Sequence, residues 1–132
     1  MNDLIIEATR SSPAIRLEAA TRRLSLSGES YPENTAAFYA PVFDWVKAFL
    51  DRLNPGEPVT VEFEIGYLNS SSTKVILNLL DLFDLAAQAG ATIRIDWRYD
   101  PDNETALECG EDFSEELTAV EFRLVEHPGS TA

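Results

Sequence analysis

Asn69-Ser70-Ser71-Ser72-Thr73-Lys74 is the stretch of this sequence richest in reactive groups. It sets four consecutive hydroxyls behind an asparagine, where an alternating apolar pattern gives way to a helical one. Hydroxyls placed there can do two things. Ser and Asn side chains at a helix start accept hydrogen bonds from backbone amides that have no other partner, at about 1 kcal/mol each. The same start presents free N–H groups and the positive end of the helix dipole, so a phosphoryl group on one hydroxyl is electrostatically tolerated. Such a group adds about −1.5 to −2 charge to a surface turn, enough to repel or reshape a docked partner. Lys74, four residues past Ser70, offers partial neutralisation, and no arginine cluster stands nearby to clamp an added phosphate.

Other chemistry is sparse. There is no glycine-rich phosphate loop and no Gly-x-Ser-x-Gly elbow. The lone His127 sits in a Pro/Gly tail, and the lone Cys109 falls on the apolar stripe of a helix, where a structural thiol is the expected reading. Asp100-Pro101-Asp102-Asn103-Glu104 resembles a calcium loop only faintly, since Pro101 stands second and Thr105 takes the place of the sixth-position glycine. Glu104, Glu108, Glu111, Asp112, Glu115 and Glu116 read as a solvated helix face. A small hydrolase would have to use that face, through residues such as Glu108 and Asp112, without a base or a metal. The expectation is therefore no catalytic residue, no metal and no cofactor.

The elements that position the serine turn follow from periodicity. Ala14–Glu18 and Arg23–Ser27 alternate in polarity across a short turn and predict a β-hairpin. Tyr31-Pro32-Glu33-Asn34 leads into a helix to Leu53 with Phe38, Val42, Trp45, Phe49 and Leu53 inward; Pro41 requires it either to begin near Ala40 or to bend there. Val59, Val61, Phe63, Ile65 and Tyr67 predict a strand with one apolar face. A second helix runs from the serines to Gly90, with Val75, Ile76, Leu79, Leu80, Phe83 and Ala87 inward. Ile93, Ile95, Trp97 and Tyr99 mark another strand. Asp100-Pro101-Asp102 opens a third helix with Ala106, Cys109, Gly110, Phe113 and Leu117 inward. A last strand spans about Val120 to Val125.

This order, ββαβαβαβ, predicts an α/β two-layer domain, a mixed sheet with helices mainly on one face. The other face would be polar, with Glu62 and Glu64 near Arg94 and Arg98 if their strands pair. One domain is expected over residues 1–132, with its core at about 12–126 and a frayed tail at 127–132.

Composition narrows the partners. Lys and Arg total 10 against 23 Asp and Glu, for a net charge of −13, and residues 100–132 hold 10 of those acids against the single base Arg123. A chain so acidic is not built to grip nucleic-acid phosphates or anionic lipid, and a charged partner should present a basic surface. The apolar stretch from Val75 to Ala87 is broken by Asn78, Asp81 and Asp84, and the N-terminus lacks the basic start of a signal peptide, so a cytoplasmic location is expected.

Four stretches resemble the SiaC family of bacterial regulatory phosphoproteins, whose fold is similar to STAS domains and anti-sigma-factor antagonists. They are Ser30-Tyr31-Pro32-Glu33-Asn34, Tyr67 to Lys74, Trp97-Arg98-Tyr99-Asp100 followed by Asn103-Glu104, and Gly110-Glu111-Asp112-Phe113. Their order and the intervening elements match from about Ser12 to Glu126. The resemblance implies a non-enzymatic switch. In that family the hydroxyl residue directly after the Asn of the strand-to-helix turn is phosphorylated by a histidine-kinase-like serine/threonine kinase, and a PP2C-type phosphatase reverses this. The unphosphorylated form activates a diguanylate cyclase, raising cyclic di-GMP and promoting biofilm or aggregation.

Carried over by position, the acceptor is Ser70. Well-known relatives carry Thr there, and the more distant antagonists are modified one residue later, which keeps Ser71 as the alternative. The docking surface is expected to comprise Tyr67, Leu68, Asn69, Ser70, Ser71, Ser72, Thr73 and Lys74, together with Tyr31 and Asn34. Ser70→Ala is expected to cost about 1 kcal/mol through a lost cap. Two further readings stay open: an anti-sigma-factor antagonist in a partner-switching cascade, and an oligomerisation module that uses the polar sheet face.

Overall fold

The computed structural model describes residues 1–127. Six strands form one sheet in sequential order: β1 (Leu4–Ile6), β2 (Ala14–Glu18), β3 (Arg23–Ser30), β4 (Val59–Leu68), β5 (Ile93–Tyr99) and β6 (Glu121–Glu126). Pairs β1–β2 and β2–β3 are antiparallel, whereas β3–β4, β4–β5 and β5–β6 are parallel. Helices α1 (Thr35–Asp51), α2 (Ser70–Gln88) and α3 (Glu104–Glu116) make the three parallel crossovers. Crossovers of one hand that always step to the next strand in the same direction put every helix on the same face. The result is the expected two-layer α/β mixed sheet, with the apolar strand faces and the helices sharing a single buried cluster.

The differences from the sequence reading have identifiable causes. β1 precedes the expected order, because Leu4-Ile5-Ile6 is too short to signal a strand until it pairs with Ile15 to Leu17 of β2. α1 starts at Thr35 and continues through Pro41, which lies on its exposed side where water can serve the carbonyl left without a donor. Its buried residues are Tyr39, Val42, Val46 and Phe49, so the inward face is turned slightly from the one expected, and Phe38 and Trp45 are only half-buried. α3 begins at Glu104, not at Pro101; Asp100 instead accepts from the Asp102 amide in a tight turn ahead of the helix. His127, placed in the frayed tail, is half-buried, and its amide donates to the Tyr99 carbonyl at 2.9 Å. Residues 128–132 of that tail lie outside the described residues.

Tyr67 departs most consequentially. Glu29 pairs with Tyr67 directly after Gly28 pairs with Ile65, so Gly66 is an extra residue in β4. A bulge of this kind reverses which side chains face inward. Tyr67 is turned out, at 51% exposure, in place of joining the apolar face with Ile65. The Gly66 carbonyl accepts from the side-chain amide of Asn103 at 3.0 Å.

The polar sheet face carries ion pairs, one of them as expected. Arg98 Nε lies 3.0 Å from Glu64 Oε1, but Glu62 is taken by Arg23 at 2.7 Å. Arg94 and Arg123 lie at 3.5 and 3.1 Å from Asp96 Oδ1, so Arg94 does not meet Glu62. Exposed pairs such as Arg23–Glu62 contribute only about 0–1 kcal/mol each.

Asp84, buried like Asp96, is held by backbone amides rather than by arginines. It is 5% exposed on α2 and accepts from the backbone amides of Thr118, Ala119 and Val120, at 3.1, 2.8 and 3.1 Å, and from Gln88 Nε2 at 3.0 Å. Burial alone would raise its pKa, but these donors outweigh it and hold the carboxyl below its ordinary value. The folded-state pKa is therefore depressed, so the stability Asp84 contributes is fully present above the unfolded value of about 3.9 and is lost as pH falls through the folded value. Asp84→Asn is expected to lose about 2–3 kcal/mol in urea denaturation at pH 7, and its stability should fall less steeply below about pH 4 than that of the parent.

Candidate functional site

Parallel strands begin their crossovers at one edge, so the starts of all three helices lie along the C-terminal ends of β3, β4 and β5. Each start is capped by an asparagine. Asn34 Oδ1 accepts from Ala37 at 3.1 Å, Asn69 Oδ1 from Ser72 at 2.9 Å, and Asn103 Oδ1 from Ala106 at 3.0 Å. Three positive dipole ends thus face one side of an otherwise acidic molecule.

The serine turn sits in the middle of this edge. Asn69 is the N-cap and Ser70 the first helical residue, so the cap expected of Ser70 belongs to Asn69. Ser70 and Ser71 are exposed. Ser72 is 0% exposed, which removes it from the surface on which it was expected to meet a partner. The Thr73 amide and hydroxyl both donate to the Asn69 carbonyl, at 2.9 and 3.0 Å, and Leu68, Asn69 and Thr73 are half-buried supports of the turn.

The two segments proposed to dock together meet here. The Tyr31 and Tyr67 rings stand edge to face with centroids 5.8 Å apart. A shallow groove between the first turns of α1 and α2 is lined by Glu33, Asn34, Thr35, Ala36, Ser71, Lys74 and Val75. Tyr31, Asn34, Tyr67, Ser70, Ser71 and Lys74 therefore share one surface. It holds a primary hydroxyl in the open, flanked by a cation and by helix amides, which suits it to carry a phosphoryl group.

Ser30 is named from the sequence only as the first residue of a matching stretch, without a role, and Tyr39 is not named. Ser30 Oγ lies 2.7 Å from the Tyr39 hydroxyl and 2.8 Å from Ser72 Oγ, beneath the turn. The available signal was modest: Ser30 has the same parity as the inward Leu24 and Leu26, and Tyr39 is three residues from Val42.

The remaining candidates stand apart. Cys109 is half-buried, and burial together with the negative charge of Asp112 pushes its thiol up to about 11, so the nucleophilic thiolate is scarce at neutral pH. Glu104, Glu108, Glu111, Asp112, Glu115 and Glu116 are exposed along α3. Among the described residues no group of three or more His, Cys, Asp or Glu is arranged to hold a metal, and no helix is long and apolar enough to cross a membrane.

Comparison with known proteins finds matches along nearly the whole chain. A family model described as SiaC family regulatory phosphoprotein matches residues 6–127. An uncharacterized protein of Pseudomonas aeruginosa (strain UCBPP-PA14) is 40% identical over 118 residues, covering 89% of this chain and 92% of the relative. The structure of SiaC of Pseudomonas aeruginosa superposes with a TM-score of 0.87 at 36% identity, over 96% of this chain and all (100%) of the other. A chain in the crystal structure of the diguanylate cyclase SiaD in complex with its activator SiaC, also from Pseudomonas aeruginosa, gives 0.88 at 38% identity, over 95% and 100% of the two chains.

Proposed function

Because the chain belongs to the SiaC family of regulatory phosphoproteins, and is thus a regulator and not an enzyme, we propose that it is a single-domain adaptor switched by phosphorylation of Ser70, with Ser71 the alternative acceptor. A dedicated serine/threonine kinase transfers the γ-phosphoryl group of a nucleoside triphosphate to the Ser70 oxygen. The hydroxyl proton is released and the nucleoside diphosphate departs. A PP2C-type phosphatase returns the serine by hydrolysis, with water supplying the oxygen of the released phosphate.

In the unphosphorylated state the surface formed by Tyr31, Asn34, Tyr67, Ser70, Ser71 and Lys74 docks on a diguanylate cyclase in the cytoplasm and activates it, which raises cyclic di-GMP and favours biofilm growth. The added phosphate breaks that contact by charge and bulk. What supports this is the exposure of Ser70 as the first residue of α2, beside Tyr67 and Lys74, in a chain that matches a cyclase activator along 95% of its length.

Purification with and without its kinase, followed by intact-mass measurement and phosphosite mapping, tests the proposal. One phosphate should appear within residues 69–73, and only the unmodified form should stimulate the cyclase. Absence of phosphate from that segment under every condition would defeat it, and capture of an anti-sigma kinase with no cyclase would favour the antagonist role.

A further inference from the structure

Ser30 holds both ends of the serine turn. Its carbonyl accepts from the Asn69 amide at 3.1 Å, and its hydroxyl donates to Ser72 Oγ at 2.8 Å. A serine hydroxyl has one proton to give, so the 2.7 Å contact with Tyr39 is made by the phenol donating to Ser30 Oγ. The chain of donors runs from Tyr39 to Ser30 to Ser72, across α1, β3 and α2. All three residues are sealed from solvent, at 1%, 0% and 0% exposure. Burial raises the Tyr39 phenol above its ordinary value, so it stays a neutral donor at physiological pH. Only Ser70 and Ser71 lie between the two gripped residues, and both are exposed.

We infer that Ser30 and Tyr39 are positioning residues for the phospho-acceptor, drawing Ser72 inward as a buried anchor and so aiming Ser70 and Ser71 at the kinase. The inference rests on reading residues 67–74 as the modified turn. Three chemically identical serines would otherwise compete on equal terms. Phosphoryl transfer needs the acceptor oxygen in line with the γ-phosphorus as the bond to the diphosphate breaks and the hydroxyl proton passes to a base of the kinase. A displacement of about 1 Å from that line costs on the order of 10²-fold in rate. A hydroxyl with no exposed surface is not reached at all.

The test compares Ser30→Ala, Ser30→Thr, Tyr39→Phe and Ile93→Val in the full chain. Ile93 lies at the start of β5, at the opposite end of the parallel strands, and serves as a core control. Ser30→Ala should lower kcat/KM for phosphotransfer by about tenfold or more. It should also spread the label to Ser72, while Ser30→Thr keeps the hydroxyl and restores the original site map. Amide hydrogen exchange at residues 70–73 needs no kinase, and should quicken about tenfold in Ser30→Ala but not in Ile93→Val. Should Ser30→Ala fail to fold, Tyr39→Phe carries the same two readouts. Parent-like exchange and a parent-like site map in these variants would overturn the inference. A parent chain that takes no phosphate, with exchange still accelerated in Ser30→Ala, would sink the modification reading and with it the acceptor-positioning role, leaving only the anchoring of the turn.

Discussion

Ser70→Ala is expected to abolish phosphate incorporation by the kinase while leaving cyclase activation fully on. The asymmetry follows from where Ser70 sits. Its side chain is exposed at the first position of α2, and among the described residues its hydroxyl makes no hydrogen bond. The cap is Asn69, whose Oδ1 takes the Ser72 amide, so removing the Ser70 hydroxyl should change stability by no more than about 0.5 kcal/mol. That replaces the loss of about 1 kcal/mol that a capping serine would have implied.

The parent chain, fully phosphorylated, should lose cyclase stimulation, whereas Ser70→Asp should lose only part of it. A carboxylate near the helix dipole is tolerated, but it carries one charge and two oxygens where phosphate carries about −1.5 to −2 and three. Phosphosite mapping together with cyclic di-GMP production checks each case. If Ser70→Ala still takes a full phosphate and Ser71→Ala takes none, the acceptor is Ser71, which lines the groove with Lys74.

Gly110→Ala should produce the largest stability loss in the helix layer, about 3 kcal/mol by urea denaturation. In an exposed helix interior the same change would gain about 1 kcal/mol, since Ala is the better helix former. Here the sign is reversed by space. A Cβ at Gly110 would stand 2.5 Å from Trp97 Cδ1, 2.8 Å from Trp97 Nε1 and 2.7 Å from Leu124 Cδ2. Trp97 has little room to yield: it is 0% exposed, its indole N–H donates to the Ala106 carbonyl at 2.9 Å, and it packs edge to face on Phe113. α3 would have to lift from β5 and β6. Trimming Leu124 to Ala beside it should recover part of the loss, a non-additive coupling that two independent sites would not show.

Much of the architecture was legible in the chain itself. The alternations at residues 14–18, 23–27, 59–65 and 93–99 gave strands, and the three- and four-residue recurrences between them gave helices. Gly110 falls on the inward stripe of its helix in that reading, and the turn from Tyr67 to Lys74 is the place to look for chemistry. Each of those signals is local, because hydrogen-bond geometry sets the period of a strand or helix within the element itself.

What the tertiary structure alone decided is non-local. Tyr67 faces out because Gly66 is an extra residue relative to β3, and a bulge exists only with respect to the partner strand. Asp84 is buried and ionised because amides some 34 residues away converge on it. Ser72 differs from Ser70 and Ser71 because Ser30, 42 residues upstream, reaches it and is itself held by Tyr39 on another helix. Local periodicity can say that a side chain lies on a helix or strand, but which of three identical serines meets solvent depends on neighbours that folding brings from elsewhere in the chain.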